Sequence, residues 1–449
     1  MSDHVVRKGL DVPVQGAASG DVVELDLPET VAYDPQEMSG LYPRLAKREG
    51  EEVQRGTVLF YDKKHPDIVV RSPVAGTVKE IRRGARRVIT DVVVERSGDG
   101  EETFASYTVD QLGSMSAEEA VAAAMATGLF PAFRTRPLDR IPDPAELPQS
   151  IFVAATETGP LQPGADVLLS ADDKDALQAA VTLLGRIAPV HLTSPSGSNH
   201  PAVQGISGAT THQFSGPHPA GDPGVQVNLV DPPRGNNRVW VLRAWDAALL
   251  GKALLTGSFP AERVYAAVGV GCQPRFVKTL LGAPLKHITG GDAKVPSRWI
   301  RGSVLTGTAV DEGRWAGFGA RAVHVLPSEV PRYLMGWALP ALGAWSFYRA
   351  FLRGFAGAPS DGVDMRPGLY GGERAIVPIG AYQKVVATPD ILPDFLIKSI
   401  LAGDLEESIS LGLLDLTMEE AALCTYICPS KVEFDVILKQ GLEFYEQET

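Results

Sequence analysis

Short apolar runs broken by turn residues open the chain. Runs at 22–27, 57–60, 67–70, 77–81 and 88–94 alternate with clusters such as Ser72-Pro73 and Arg83-Gly84. Alternation on this scale is the signature of short strands, so residues 1–110 are predicted to form an all-β domain. From Ser116 the period changes to that of a helix. Residues 117–126 are Ala-rich, and a Pro-spaced linker runs over 137–148. Strand-like runs at 151–155, 166–170 and 190–193 then bracket a helix predicted over about 173–186. Its apolar face is Ala176, Leu177, Ala180, Val181 and Leu184, and Ser170-x-x-Asp173 reads as its capping box. A β-α-β order of this kind predicts a mainly parallel sheet over 111–260, closed by a strand at 239–244 and a helix at 246–255. Between these, residues 194–238 are rich in Gly, Pro, Ser and Asn, with one strand-like run at 225–230. An irregular stretch of this length is usually a functional loop or disorder.

A smaller β-rich unit is predicted over 261–326, with runs at 263–270, 276–279, 283–291 and 299–305. Residues 327–449 read as mostly helical. Ile391, Leu392, Phe395, Leu396 and Ile400 share one face; Phe434, Ile437, Leu438, Leu442 and Tyr445 share another; and Thr417-x-x-Glu420 is the capping box of the helix bearing Cys424.

Composition narrows the function classes. The chain of 449 residues has 42 Lys+Arg against 54 Asp+Glu, a net charge of −12, which argues against generalised affinity for nucleic acid or anionic membranes. One local exception is the stretch 79–87, with Lys79, Arg82, Arg83, Arg86 and Arg87; it reads as a solvated hairpin or as a contact for acidic headgroups or an acidic partner. Three cysteines cannot build a disulfide framework and point to a reducing compartment. The first residues carry no apolar run behind their charges, and no stretch of about 20 residues is free of charges and helix breakers. A soluble, cytoplasmic, multi-domain chain is expected.

Local catalytic signatures do not emerge. Gly269-Val-Gly271 follows a strand, but Pro274 stands where the third glycine of a dinucleotide fingerprint must pack. There is no P-loop and no G-x-S-x-G elbow. His200, His212 and His218 are 12 and 6 residues apart with no cysteine near them, so no metal site is expected. No catalytic residue is assigned. Leu423-Cys-Thr-Tyr-Ile-Cys-Pro429 resembles the last part of a ferredoxin cysteine run, yet a four-iron cluster requires four thiolates and only Cys424 and Cys428 lie there.

The run from Val69 through Ser72-Pro-Val-Ala-Gly76 to Ile81 resembles the β-hammerhead of lipoyl and biotinyl carrier domains, although Lys63 and Lys64 are poorly spaced to serve as the acylated lysine. Further motifs are Arg7-Lys-Gly-Leu-Asp-Val-Pro13, Tyr61-Asp-Lys-Lys64, Arg83-Gly-Ala-Arg-Arg87, Leu129-Phe-Pro-Ala-Phe-Arg-Thr-Arg-Pro137, Phe214-Ser-Gly-Pro-His-Pro-Ala-Gly221, Glu373-Arg-Ala-Ile-Val-Pro-Ile-Gly380 and Leu423–Pro429 with Lys431. In this order they resemble the NqrA family, the first subunit of the Na⁺-translocating NADH:quinone oxidoreductase, and more distantly RnfC and the flavin- and cluster-bearing subunit of respiratory complex I. One departure is that Val225-Gln-Val-Asn228 stands where many relatives carry a His-x-His pair.

The resemblance implies a barrel-sandwich hybrid domain (1–110), an α/β domain (111–260), a β-grasp unit of the soluble-ligand-binding (SLBB) type (261–326) and a C-terminal helical bundle (327–449). It also implies a peripheral subunit on the cytoplasmic side of the bacterial inner membrane, supporting electron transfer from NADH to ubiquinone coupled to sodium export. Gly128-Leu-Phe-Pro-Ala-Phe133 puts bulky side chains where a flavin-binding relative has a glycine loop, so no redox cofactor is expected on this chain. Flavins and iron–sulfur centres would sit on partner subunits, and the membrane-embedded NqrB subunit would be the chief partner. Ubiquinone is a candidate ligand, with Phe214 and His218 suited to a flat diketone. The apolar, aromatic segment 333–348, interrupted by Pro340, is the candidate docking element, through Trp337, Trp345, Tyr348 and Arg349. The alternatives are an Rnf-like electron-transfer subunit carrying its own flavin or iron–sulfur centre, and a soluble ligand- or polysaccharide-binding protein built on the β-grasp unit.

Overall fold

The computed structural model describes residues 2–329, 334–335, 347–348, 357, 359–367, 375–377 and 380–448. Residues 30–96 form two small sheets facing each other. One has the strand order Thr30–Tyr33, Ile89–Arg96, Gly76–Arg83, Glu52–Val53, and the other Pro43–Leu45, Val58–Asp62, Val69–Arg71. Leu59, Phe60, Val70, Val78, Val92 and Val94 fill the space between them; Val92 and Val94 alternate inward, while a register shift between Val58 and Phe60 lets the consecutive Leu59 and Phe60 both be buried. The turn at Gly76 admits no side chain, since a Cβ there would lie 1.9 Å from the Glu95 carbonyl oxygen.

The α/β unit has six strands in the order Ser2–Val5, Ala209–Ser215, Val190–Pro195, Ser150–Ala154, Val239–Arg243, Arg134–Arg136, all parallel but the last. Helices Ala117–Ala126, Lys174–Ile187 and Ala244–Thr256 share one core with this sheet through Ile151, Val153, Leu177, Leu184 and Leu250. On the opposite face Val227 packs against Phe152, Val239 and Val241. The run at 225–230 expected as a strand is therefore a helix, Pro223–Val230. Asp222 accepts from the Gly224 N–H at 3.2 Å and proline fills the first turn, an N-terminal signature that outweighs the β-branched valines. The run at 166–170 is likewise a short helix, Ala165–Leu168.

A second six-stranded mixed sheet has the order Thr308–Val310, Ser297–Arg301, Ala322–Pro327, Glu262–Val268, Arg275–Leu280, Val22–Glu24, with the short helix Leu285–Thr289 packed on it. Beyond Pro327 the described residues hold helices Tyr382–Val385, Pro393–Ala402, Leu405–Ser410, Met418–Ile427 and Phe434–Glu448 around Leu396, Leu423, Phe434 and Leu438. None of the helices among the described residues is long and apolar enough to cross a membrane.

The first 24 residues belong to no single unit. Ser2–Val5 extends the parallel sheet, Val12 and Val14 enter the core of the C-terminal helices, and Val22–Glu24 pairs with Arg275–Leu280. Only then does the chain enter the two small sheets.

Charge joins those sheets to the mixed sheet. Arg301, 4% exposed, meets Asp34 at 2.5 Å and Glu37 at 2.5 Å, while Arg314 meets Asp91 at 3.0 Å and Asp34 at 3.3 Å. Glu37 also accepts from the Phe318 N–H at 2.9 Å; Gly317 beside it has φ +71°, and a Cβ there would sit 2.2 Å from the carboxylate. Burial pushes Glu37 up to about 7 and Asp91 up to about 6 against the pull of the arginines. Removing the cation of a buried group of this kind costs about 3–5 kcal/mol, so Arg301→Met is expected to lower the unfolding free energy by about that much, read as a lower urea midpoint. Both acids bind protons more tightly folded than unfolded, so their contribution to stability falls as pH rises from about 5 to above 7. Melting curves across that range should show a shallower fall for Glu37→Gln than for the wild type; an unchanged slope would remove Glu37 from the titration.

Candidate functional site

The parallel sheet has one switch point. From Ser150–Ala154 the chain moves outward to Val190–Pro195 and Ala209–Ser215, then returns to the other side for Val239–Arg243. Loops leaving the carboxyl ends of strands on either side of such a point diverge and leave a crevice. Here the crevice is lined by Glu157, His218, Asp222 and Arg243 from this unit, Ser303 and Arg321 from the mixed-sheet unit, and Glu419 from the helices, around a cavity of about 190 Å³.

Each side chain is held from behind. Arg243 donates to the carbonyls of Thr156 at 2.7 Å and Gly221 at 3.1 Å, and stands 3.4 Å from Glu157. Gln226 donates to Thr156 Oγ1 at 2.7 Å and the Ala220 carbonyl at 3.0 Å, and accepts from Thr193. Asn228 donates to Thr388 Oγ1 at 3.0 Å and the Asp415 carbonyl at 2.6 Å. Two polar residues of Val225-Gln-Val-Asn228 thus brace the loops and the helical unit. Gly221 must lack a side chain, because a Cβ would lie 2.6 Å from the Thr158 nitrogen.

His218 is 2% exposed, with Nδ1 at 3.2 Å from Thr158 Oγ1 and Nε2 at 3.2 Å from Glu419. Its backbone N–H donates to Asp11 Oδ1 at 2.9 Å. Glu419 lies in the first turn of Met418–Ile427, set there by the reciprocal Thr417–Glu420 cap, and accepts from Thr306 at 2.6 Å. Burial on its own would lower His218, but the Glu419 carboxylate overrides it and holds the imidazole above its ordinary 6.5. Burial would raise Glu419, but His218 and the hydroxyls of Thr306 and Ser303 hold it below its ordinary 4.5. Asp222, fully enclosed, is raised by burial and by Glu419. The arrangement is a histidine–carboxylate pair with a further carboxyl beside it, able to hold a proton and to orient a polar head group.

Phe214 and His218 are not brought to one face. Phe214, 3% exposed, lies within Ala209–Ser215, packs against Val6 and Ala220, and stacks on His4 at 4.7 Å. Trp337, Trp345 and Arg349 lie outside the described residues; Tyr348 is described and is 42% exposed. Glu157, Asp222, Arg243 and Glu419 were not picked out by the sequence reading. Two had a signal: Asp222-Pro223 is a helix start, and the Thr417-x-x-Glu420 box places Glu419 in a first turn. Asp222, Arg243 and Glu419 also line a larger cleft of about 950 Å³ between Gly40 and Tyr42, Arg134 and Arg136, and the helix Phe434–Glu448.

Two opposed small sheets followed by a switched parallel α/β unit define a barrel-sandwich and α/β scaffold protein. The model for the NqrA N-terminal barrel-sandwich hybrid domain matches residues 4–97, and that for the NqrA second alpha/beta domain matches residues 115–259. The NqrA protein of the Na(+)-translocating NADH-quinone reductase of Actinobacillus pleuropneumoniae serotype 5b is 38% identical over 449 residues, covering 99% of each chain. Those of Pasteurella multocida (36% over 448 residues) and Klebsiella pneumoniae strain 342 (37% over 452) also cover 99% of both chains. The chain belongs to the NqrA family of Na(+)-translocating NADH-quinone reductase subunits.

A raised histidine stabilises below 6.5 and loses its contribution as pH rises through the raised value; a lowered glutamate stabilises above 4.5 and loses it as pH falls. The pair therefore contributes most between about 4.5 and 6.5. Glu419→Gln is expected to return His218 toward its ordinary value or below, read by NMR titration of the imidazole. It should also abolish the extra wild-type stability in that window; an unmoved titration would show that Glu419 does not set it.

Proposed function

We propose that the chain is the peripheral subunit, on the cytoplasmic face of the inner membrane, of a Na⁺-translocating NADH:quinone reductase. It supports electron transfer from NADH to ubiquinone coupled to sodium export and has no catalytic centre or redox cofactor of its own. The flavins and iron–sulfur centres reside on partner subunits, with the membrane-embedded NqrB subunit as the chief contact. The observation that carries this reading is the match to NqrA proteins across 99% of both chains.

The local chemistry supports the lack of a cofactor. Flavin phosphate requires bare backbone, and Gly128 is covered by Arg71, whose Cγ would lie 2.8 Å from a Cβ there. Arg71 is itself fixed on the carbonyls of Ala126 and Gly56, at 2.9 and 2.6 Å. Phe130 and Phe133 are stacked with centroids 5.1 Å apart and edge-on to Trp240. Cys428 is buried and accepts from Tyr382 at 3.2 Å; Cys424 is buried beside it, and Cys272 belongs to the separate core of the mixed sheet. These residues do not fit a flavin or a four-thiolate cluster. The mixed sheet with its short crossing helix supports the soluble-ligand-binding β-grasp reading of that unit. Segment 333–348, through Trp337, Trp345, Tyr348 and Arg349, is proposed to dock on the membrane-embedded partner. A quinone contact is proposed on the His218 side of the crevice, with Phe214 acting only through the wall it packs.

Tagged chain purified from gently solubilised membranes should carry the other subunits with it, while the isolated chain is colourless. A flavin band near stoichiometric occupancy, or iron with labile sulfide, would favour the Rnf-like alternative. His218→Ala with Phe214→Ala should weaken quinone binding by the complex; unchanged binding and turnover would remove the quinone contact from this chain.

A further inference from the structure

The strands Gly76–Arg83 and Ile89–Arg96 are joined by a tip in which six consecutive residues, 83–88, are exposed. Its composition is Arg-Gly-Ala-Arg-Arg-Val, with no acidic residue. The neighbouring cations are spoken for. Lys79 pairs with Glu95, and Arg82 pairs with Glu80 at 3.0 Å while lying over the Trp315 ring at 4.9 Å. Arg83, Arg86 and Arg87 have no carboxylate partner among the described residues; Arg83 reaches only the Arg87 carbonyl, at 3.4 Å. Arg86 and Arg87 both take left-handed backbone, φ 54° and 61°, which non-glycine side chains adopt only at a cost. Beside them Val88 is 44% exposed. Three unpaired positive charges and an apolar side chain are thus concentrated at one projecting point of a chain whose net charge is −12.

We infer that this tip is a contact for anionic phospholipid headgroups. The inference rests on the membrane-complex reading above, which brings the chain to a bilayer. A plane of headgroups is favoured over a protein partner on grounds of size and shape. A stable protein interface takes about 20–30 residues on each side. The tip offers six, and none of them lines a cavity described above. Mobile phosphates can gather around guanidinium groups without matching a shape, and Val88 can rest at the headgroup boundary. Each arginine near an anionic leaflet is worth about a fivefold gain in partitioning, so three give about a hundredfold, screened by salt. Elsewhere the acidic surface is repelled, so the tip would also orient the chain relative to the bilayer.

The test is sedimentation of the full-length chain with vesicles of phosphatidylcholine alone or mixed half-and-half with phosphatidylglycerol, at low and high salt. The variant is Arg83→Gln with Arg86→Asn and Arg87→Asn, asparagine being tolerant of left-handed backbone. Wild type is expected to bind the anionic vesicles preferentially, to lose that binding at high salt, and to exceed the variant by about a hundredfold. The variant should melt as the wild type does, since the three positions are exposed. Equal wild-type binding to both vesicle types, or equal binding by variant and wild type, would overturn the inference. So would a variant that keeps its lipid binding but no longer co-purifies with the other subunits, which would assign the tip to an acidic protein. Anionic-vesicle binding by a wild-type chain that co-purifies with no other subunit would uphold the lipid contact while removing the function proposed above.

Discussion

A charge removed from water must be met by an opposite charge or by several hydrogen bonds, and this chain meets that requirement across the joins between its units. Asp34, Glu37 and Asp91 come from the two small sheets, and the cations that answer them, Arg301 and Arg314, come from the mixed-sheet unit. Neither set is tolerable alone, because three carboxyls enclosed without guanidinium groups would have to be neutral to stay buried. Arg136 does comparable work elsewhere: it lies on the edge strand of the parallel sheet and donates to the carbonyl of Asp415 at 3.0 Å, with those of Leu414 and Leu416 at 3.4 Å. Arg321 and Asp246 join the mixed sheet to the helix Ala244–Thr256. Apolar packing is continuous from the first sheets into the α/β unit, and these buried charges add a fixed geometry at the joins.

The N-terminal arm reinforces this by covalent connection. Residues that pair with the parallel sheet, the helical core and the mixed sheet follow one another within the first 24 positions. Separating any two of these units would require stripping a strand or a buried valine from one of them. The imidazole of His218 occupies the point where three units converge, which explains why it is both enclosed and within reach of a carboxylate that raises its affinity for a proton. Its partner Glu419 is tied at the same time to Thr306 of the mixed-sheet unit.

What was legible in the sequence follows from how local its cause is. The helices at 117–126, about 173–186 and 246–255 were readable because their causes are local: an Ala-rich run in the first, an apolar face behind Ser170-x-x-Asp173 in the second, and a run rich in Ala and Leu in the third. The order of units was readable through the family resemblance and its motifs. Residues 225–230 misled because valine favours strands, while the Asp222-Pro223 start and the apolar face offered by Phe152 and Val241 decide for a helix. Strand Val22–Glu24 looked like part of the first domain because its partner, Arg275–Leu280, is some 250 residues distant. The site was the least legible part. His218 was visible as a histidine between prolines, but Glu419 reaches it from 200 residues away, and no periodicity encodes that meeting. Phe214 was chosen for its ring, yet strand alternation turns that ring toward Val6 and Ala220.

The loop 128–133 is closed by side chains from three directions. A hollow left at that position would forfeit packing along its walls, at about 24 cal/mol for each Å³. Leu129, Phe130 and Phe133 close the space, and Trp240 from the neighbouring strand meets both phenyl rings. Arg71 closes it from the other side, its stem against Gly128 and its guanidinium on backbone carbonyls. The residues that cover Gly128 are therefore the same ones that bind the first sheets to the α/β unit. Opening that space would take more than one substitution: it would mean emptying an aromatic cluster and releasing an interdomain arginine together.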